Sequence, residues 1–165
     1  MNIKRYIATI ILAIVLLLNF SCTDWLDVKP VDRMSEDQLY STEAGFRQAL
    51  NGIYVELNHA DLYGDELLVN TVEILAQRYK FSSMGTLTNQ YHLAEFDYTT
   101  DYAKKCGSRI WEKAYALIAN VNKLLKNADS HKDLFTGDSY DLITGEAYAL
   151  RAFLHFDLLR LFGPV

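Results

Sequence analysis

Proline, cysteine and excess positive charge are scarce in this chain. Its 165 residues include two prolines, Pro30 and Pro164, and two cysteines. Folds built from many short strands need dense turn chemistry, and the stretch between the two prolines lacks it, so helices are favoured. A formal charge of -5 argues against a surface built to neutralise phosphates. The composition therefore predicts a mostly helical protein that does not bind nucleic acid.

The specific sequence motifs of catalysis and metal binding are also missing. H-E-x-x-H, G-x-S-x-G, a Walker-type loop and paired-cysteine spacing do not occur. The scattered histidines fit satisfied or solvated side chains: His59, His92, His131 and His155. We therefore predict no catalytic residue, no metal site and no cofactor. The carboxylate pair of a glycan hydrolase remains open, because the separation of those two groups is a spatial property without a sequence spacing.

The first residues predict export. Lys4 and Arg5 precede an apolar run over residues 6–18, and polarity returns at Asn19. This is the three-part layout of a secretory signal. The run is shorter than the roughly 20 apolar residues that a membrane-spanning helix needs. We predict that residues 1–21 are a signal peptide.

Cys22 is the predicted site of lipid attachment. It follows the small residue Ser21 after the apolar run, and this arrangement resembles the lipobox of bacterial lipoproteins, whose cysteine is acylated and becomes the mature N-terminus. Asn19 departs from the lipobox, which usually has an aliphatic residue there. Residues 22–34 would form a lipidated linker; the alternative is an ordinary cleaved signal with Cys22 incidental. Cys106 is then left alone as a structural or incidental residue.

Apolar residues at steps of three and four predict four amphipathic helices. They cover residues 35–57, 65–81, 108–126 and 138–163, with Asp138 as the candidate N-cap of the last. The apolar stripe of the second helix comprises Leu68, Val72, Leu75, Ala76 and Tyr79. Gly52 inside the first helix predicts that another backbone approaches closely. The layout is two helix pairs, as at the start of a helical repeat array.

The last helix carries the residues that point to a family. Residues 145–164, GEAYALRAFLHFDLLRLFGP, resemble the GEAxxLRAxxxFxLxRxYG-P signature of SusD/RagB-like outer-membrane nutrient-binding lipoproteins. Residues 111–122 resemble the family's WxxxYxxIxxxN helix, and residues 49–54, ALNGIY, resemble a helix near its N-terminus. Cys22 and the residues after it look like its lipidated start. The motif residues are Trp111, Tyr115, Asn122, Gly145, Glu146, Leu150, Arg151, Ala152, Phe156 and Gly163.

The resemblance implies an all-α fold of tetratricopeptide-like helical hairpins over residues 35–165. This chain stops where family members continue past the glycine–proline pair, so the resemblance implies an N-terminal part truncated at its C-terminus. It also implies a lipid-anchored, surface-exposed outer-membrane protein that binds a starch-like or other oligosaccharide and covers a SusC-like TonB-dependent transporter. Two alternatives stay open: a lipid-anchored helical scaffold that contacts only a protein partner, and a glycan hydrolase.

Residues 82–101 interrupt the helical period, and loops of that length are usually functional or mobile. Sugars are recognised by flat aromatic faces together with amides and hydroxyls. The candidate glycan-binding residues in and beside this loop are Tyr79, Phe81, Asn89, Gln90, Tyr91 and His92. The alternative is a solvated loop with Tyr91 folded inward.

The charged motif residues Glu146 and Arg151 are expected to be structural. They are five residues apart, so they do not face each other on a helix. We expect each to bond to a neighbouring helix or a loop carbonyl. Trp111 and Tyr115 should lie in the core, and Asn122, on the same stripe, needs a hydrogen-bond partner.

Overall fold

The computed structural model describes residues 6–7, 35–81, 85 and 87–163. The chain divides into two units, residues 1–35 and 36–165. Apart from Tyr6 and Ile7, the predicted signal peptide lies outside the described residues, as do Cys22 and the linker over residues 22–34. Within the described part of the chain, no helix is both long enough and apolar enough to cross a membrane.

The described residues of the second unit form six α-helices and contain no strand. They are α1 (Glu36–Leu39), α2 (Glu43–Leu57), α3 (Thr71–Leu75), α4 (Thr88–Ala94), α5 (Asp101–Ser130) and α6 (Ser139–Phe162). A short 3-10 turn, Lys132–Leu134, connects α5 to α6. The predicted all-α class is confirmed.

Helix α2 begins at a well-formed N-cap. Thr42 has extended backbone angles, and its Oγ1 accepts a hydrogen bond from the Gly45 amide at 3.2 Å. The predicted close approach at Gly52 is wrong, because a Cβ built there meets nothing within 4 Å. In α2 the packing instead requires Gly45, since a Cβ there would collide with the carbonyl oxygen of Leu39.

Helix α5 is longer than predicted at both ends. Thr100 caps it by accepting from the Ala103 amide at 3.2 Å, eight residues before the predicted start at residue 108. Its first turns bury only Ala103 and Cys106, two small side chains that add little to the apolar pattern, so periodicity alone did not reveal these turns. Cys106, expected just before the helix, is a free thiol buried within it.

Helices α5 and α6 run antiparallel. Three side-chain pairs join them in reverse order along the chain: Trp111 with Phe162, Tyr115 with His155, and Asn122 with Arg151. The apolar stripe predicted for α6 is buried at Ala147, Leu150, Leu154 and Leu158. Asp138 stands at the N-cap but makes no side-chain cap bond. Gly163 ends the helix at φ 81°, a conformation that favours glycine.

The helix predicted over residues 65–81 is wrong. Only α3 is helical there, and the predicted stripe does not form, because Leu68 and Tyr79 are exposed. The Asp65 carbonyl accepts from the amides of Leu68 and Val69 at 3.1 and 2.9 Å, which closes a turn in place of a helix.

The loop predicted over residues 82–101 is also only partly right. It contains the short helix α4, in which Leu93 is the buried residue. One buried side chain gives no periodic signal, so the sequence pattern could not show this helix.

Two apolar clusters hold the second unit together. The main cluster joins α2, α5 and α6 around residues such as Phe46, Val121 and Leu154. A smaller one is formed by Ile74, Leu93 and Ala103, from α3, α4 and the start of α5. The smaller cluster positions the region that was predicted to contact glycan.

Candidate functional site

The first two predicted glycan-binding residues follow α3. Tyr79 is 44% exposed, and its hydroxyl donates a hydrogen bond to the Val69 carbonyl at 2.9 Å. Phe81 is half-buried against the smaller cluster, with its ring centroid 5.9 Å from that of Tyr79. The two rings meet edge to face, which leaves the Tyr79 ring accessible beside a packed partner.

The other four predicted residues lie on α4. Asn89 is exposed, whereas Gln90, Tyr91 and His92 are half-buried. The rings of Tyr91 and His92 are 5.8 Å apart, and His92 Nδ1 lies 3.6 Å from Asp97 Oδ2. Tyr91 is therefore neither fully exposed nor folded into the core.

The two groups sit on neighbouring segments of the same region. Gln77 donates from Nε2 to the Ala94 carbonyl at 2.6 Å, which ties the end of α3 to the end of α4. Gln77 has a φ of 59°, a left-handed conformation that is uncommon outside glycine. The arrangement offers two ring pairs and the amides of Asn89 and Gln90, the groups that sugar recognition uses.

A pocket of about 620 Å³ opens beside this region, and sequence reasoning missed it. It lies between α3, α4, the first half of α5 and the end of α6. Its apolar walls include Leu75, Leu93, Trp111, Leu161 and Phe162, and its polar lining includes Thr71, Tyr98, Lys104, Cys106 and Ser108. None of the six predicted glycan-binding residues lines it.

Much of the pocket's polar lining already has partners. The Thr71 hydroxyl donates to the Glu66 carboxylate, and the Ser108 hydroxyl donates to Glu112 Oε1 at 3.0 Å. The Cys106 thiol accepts a weak bond from Arg109. The remaining polar side chains, Tyr98 and Lys104, are exposed.

A buried carboxylate lies next to the pocket. Glu66 is 2% exposed and accepts hydrogen bonds from Thr71 and Arg109. Arg109 Nε also lies 3.7 Å from Asp61 Oδ1. Sequence reasoning missed this network, because Glu66 and Arg109 are 43 positions apart and no local spacing relates them. A paired buried charge of this kind fixes how the turn after α2 docks onto α5.

Tyr102 and Cys106 lie on α5 beside that network. Burial, followed by the nearby Cys106, raises the pKa of Tyr102 to about 12. The phenol of Tyr102 therefore stays neutral to a higher pH than that of an ordinary tyrosine.

The charged motif residues bond to neighbouring helices, as expected. Arg151 donates from Nη1 to Asn122 Oδ1 at 2.8 Å, and Tyr54 donates from its hydroxyl to Glu146 Oε2 at 3.1 Å. These contacts tie α6 to α5 and to α2. Asn122 thus has the partner it was expected to need, although it is exposed rather than on the buried stripe.

Trp111 and Tyr115 are half-buried rather than fully in the core. Trp111 packs against Tyr115 and Phe162, with ring centroids 4.7 and 5.1 Å away. Leu150 is buried, whereas Gly145, Ala152 and Phe156 are exposed. Because they are exposed, Gly145, Ala152 and Phe156 are accessible to other groups.

The histidines are each near another side chain or backbone group, in separate places. His59 lies 3.4 Å from Asp61, His131 is 2.9 Å from the Asn127 carbonyl, and His155 packs edge-on against Tyr115. In the described residues, no group of three His, Cys, Asp or Glu side chains could hold a metal ion.

Comparison with known proteins identifies the family. Residues 24–165 match the model of a SusD-like family described as starch-binding and associating with the outer membrane. The match covers most of the chain, and the chain belongs to the SusD-like family. At the family level these are carbohydrate-binding proteins and not enzymes.

Two relatives come from Formosa agariphila. SusD-like protein P2 is 27% identical over 162 residues, which are 98% of this chain and 30% of the relative. SusD-like protein P25 is 27% identical over 148 residues, which are 87% of this chain and 28% of the relative. The chain therefore spans less than a third of the length of these relatives. No solved structure gives a significant match.

Proposed function

We propose that this chain is the part of an outer-membrane lipoprotein that helps to capture an oligosaccharide and deliver it to a SusC-like TonB-dependent transporter. Family membership carries the proposal, because the matching family is described as starch-binding and associating with the outer membrane. The glycan hydrolase considered from sequence is not proposed, since the family binds carbohydrate and does not cleave it.

The glycan-binding surface that we propose is the exposed side of the α3–α4 region. Tyr79 and Tyr91 supply aromatic faces, and Asn89 and Gln90 supply amides. The Phe81 ring packs edge-on against Tyr79, and the His92 ring packs edge-on against Tyr91. Rings that are already held by a packed neighbour lose little conformational freedom on binding, which favours stacking on the apolar face of a pyranose.

Isothermal titration of the full chain in lipid nanodiscs tests glycan binding. Maltoheptaose is the first probe, since the family description names starch, and other oligosaccharides follow. Stacking by Tyr91 is worth about 1 kcal/mol, so Tyr91→Ala should weaken binding several-fold. Tyr148→Ala, which removes an exposed ring on α6, should leave the affinity unchanged.

Two results of that titration would change the proposal. Equal affinities for the Tyr91→Ala variant and the wild-type chain would remove α4 from the binding surface. No binding of any oligosaccharide by a folded wild-type chain would favour the alternative, a lipid-anchored helical scaffold that contacts only a protein partner. Circular dichroism confirms folding in both cases.

The proposed anchor is an acylated Cys22. Two or three acyl chains, at about 0.8 kcal/mol per buried methylene, hold a protein stably to a membrane. Cys22→Ala should release the protein from the outer-membrane fraction and abolish fatty-acid labelling. Cys106→Ala is the matched control, because that thiol is buried in α5 and should not be labelled. The anchor would be refuted if the Cys22→Ala variant stayed in the membrane fraction and the wild-type chain incorporated no labelled fatty acid.

The proposed transporter partner needs a separate test. An affinity-tagged chain expressed in its native host should co-purify with a TonB-dependent transporter from detergent-solubilised outer membranes. Recovery of the chain without that transporter, under conditions in which other outer-membrane complexes stay intact, would contradict the partnership.

A further inference from the structure

We propose that the pocket between α3, α4, α5 and α6 binds a small organic acid: a molecule with a compact, aromatic or aliphatic body and one carboxylate. This site is separate from the proposed glycan surface, because none of the six residues of that surface lines the pocket. The proposal therefore does not depend on glycan capture.

The size and walls of the pocket suit an apolar body. Its volume of about 620 Å³ falls in the range of small-molecule sites, roughly 300 to 1,000 Å³. Trp111 and Phe162 form one wall, with their rings perpendicular and 5.1 Å apart. Leu75 and Leu93 line the pocket from α3 and α4. Burying an aromatic or aliphatic group against these side chains is favourable.

The polar lining does not suit a sugar inside the pocket. The hydroxyls of Thr71 and Ser108 already donate hydrogen bonds to carboxylates. A pyranose carries several hydroxyl groups, each of which loses its water on burial and needs a new partner. Too few uncommitted side chains remain to satisfy them, so the pocket lining selects against glycan.

The two uncommitted polar side chains both offer a hydrogen-bond donor. Lys104 makes no ion pair, and the Tyr98 hydroxyl no hydrogen bond, with any residue that the structure describes. Both line the pocket and are exposed. An ammonium and a phenol together fit a carboxylate, which only accepts hydrogen bonds. Asp97 interacts electrostatically with Lys104, and Asp97 Oδ1 accepts its hydrogen bonds from Thr99.

Gly107 makes room for the ligand. It lines the pocket from α5, and a Cβ there would lie 3.6 Å from Phe162 Cε1. A larger side chain at this position would extend towards Phe162 and occupy the space between α5 and the end of α6. Glycine in the middle of a helix costs about 1 kcal/mol relative to alanine, so the open space is kept at the expense of helix stability.

Fluorescence quenching by 4-bromobenzoate tests the proposal. The chain has two tryptophans, so a Trp25→Phe background leaves Trp111 in the pocket wall as the reporter. The full chain is studied in lipid nanodiscs at neutral pH, where the probe is ionised and stays largely in water. Bromine quenches a nearby indole, so saturable quenching is expected, and 4-bromobenzyl alcohol, which lacks the charge, should bind about tenfold more weakly.

Matched variants distinguish binding in this pocket from non-specific binding of the probe. Lys104→Met should weaken 4-bromobenzoate binding about tenfold, whereas Lys105→Met, an exposed neighbour outside the pocket, should have no effect. Gly107→Leu should abolish saturable quenching, whereas Gly145→Leu, where a Cβ meets nothing within 4 Å, should not. Circular dichroism verifies that each variant is folded, and the Lys104 result stands even if Gly107→Leu does not fold.

Three outcomes would overturn the proposal. One is the absence of saturable quenching of the wild-type chain at millimolar probe. Another is equal quenching in the Gly107→Leu and Gly145→Leu variants, which would place the probe elsewhere. Equal affinity for the acid and the alcohol would show that no carboxylate is recognised.

Discussion

Arg151 on α6 donates a hydrogen bond to Asn122 on α5, with 2.8 Å between Nη1 and Oδ1. Arg151 also packs its guanidinium over the Tyr148 ring, 5.0 Å from the centroid. Two residues of the family motif are thus joined across the two longest helices that the structure describes. The contact gives both residues a structural role without any ligand.

Removal of this bond should lower stability by a moderate amount. We expect Arg151→Ala and Asn122→Ala each to cost about 1 kcal/mol, because the bond is between partly solvated groups. In a double-mutant cycle the two changes should be non-additive, with a coupling of about 0.5 to 1 kcal/mol. Urea unfolding of the four chains measures this. Fully additive costs, or lost glycan binding at unchanged stability, would contradict a structural role.

Breaking the pair of the buried Glu66 with the half-exposed Arg109 should cost much more. Arg109→Met would leave the carboxylate of Glu66 buried and without its cation, a loss of about 3 kcal/mol. Arg78→Met is the control, because it breaks an exposed pair with Glu73 and should cost less than about 1 kcal/mol. Chemical denaturation of both variants gives the comparison.

A second variant checks the cause of that loss. Adding Glu66→Gln to Arg109→Met removes the unpaired charge and keeps the hydrogen bond from Thr71. The double variant should recover part of the stability. If it is no more stable than Arg109→Met alone, then lost packing, and not the uncompensated charge, explains the effect.

The sequence predicted the long helices well and the segment between them poorly. In α2, α5 and α6 the apolar side chains recur over several turns, so the pattern is set by local spacing. Residues 58–81 are instead held by contacts that no local spacing reveals, such as the pair of Glu66 with Arg109. The same non-local contacts shape the pocket, so no local pattern could predict it. The candidate glycan-binding residues could be chosen only by residue type.

Stability should fall at alkaline pH because of Tyr63. Burial, together with its hydrogen bond to Asp157 at 2.6 Å, raises the pKa of Tyr63 above the usual value of about 10. The folded state thus favours the protonated phenol. Its contribution is fully present below about pH 10 and is lost as the pH rises above that value. Burial also raises the pKa of Tyr40 and Tyr102, in the same direction.

Unfolding free energies measured from neutral to alkaline pH test this. The wild-type chain should lose stability above about pH 10. Tyr63→Phe should be less stable at neutral pH, since it lacks the hydrogen bond to Asp157. Its free energy of unfolding should nevertheless fall less than that of the wild-type chain between neutral and alkaline pH. Parallel pH profiles for the two chains would show that Tyr63 does not contribute to the slope.

Glu43 should make the opposite contribution at acidic pH. Its carboxylate interacts with the hydroxyls of Ser139 and Thr136, the Thr136 amide and Arg47, and these lower its pKa to about 2. The folded state favours the charged form. Stability from this group is therefore present above about pH 4.5 and lost as the pH falls towards about 2.

Glu43→Gln tests the acid side. The variant keeps an acceptor oxygen but cannot ionise, so its stability should depend less on pH than that of the wild-type chain between about pH 4.5 and 2. Thermal melting across that range gives the comparison. Identical acid profiles would mean that the contacts of Glu43 contribute equally to the protonated and ionised forms.

The outer face of α6 should make this chain bind hydrophobic dye. Phe156 and Leu159 are 56% and 48% exposed, on the face opposite the buried leucines. Phe153 and Phe162 extend this apolar surface but also pack, on Tyr63 and Trp111 respectively. Contiguous exposed apolar patches mark contact sites, and α6 carries one.

In a chain expressed without residues 1–22, we expect dye fluorescence and concentration-dependent association. The double variant Phe156→Glu/Leu159→Lys should lose most of both, with a stability change within about 0.5 kcal/mol, because both side chains are half-exposed. Leu158→Ala, at a position 1% exposed, should instead cost about 2 to 5 kcal/mol and leave the dye-binding face in place. Dye titration and sedimentation velocity measure the two effects, and a wild-type chain that is monomeric at high concentration and silent to dye would show that this face is not a contact site.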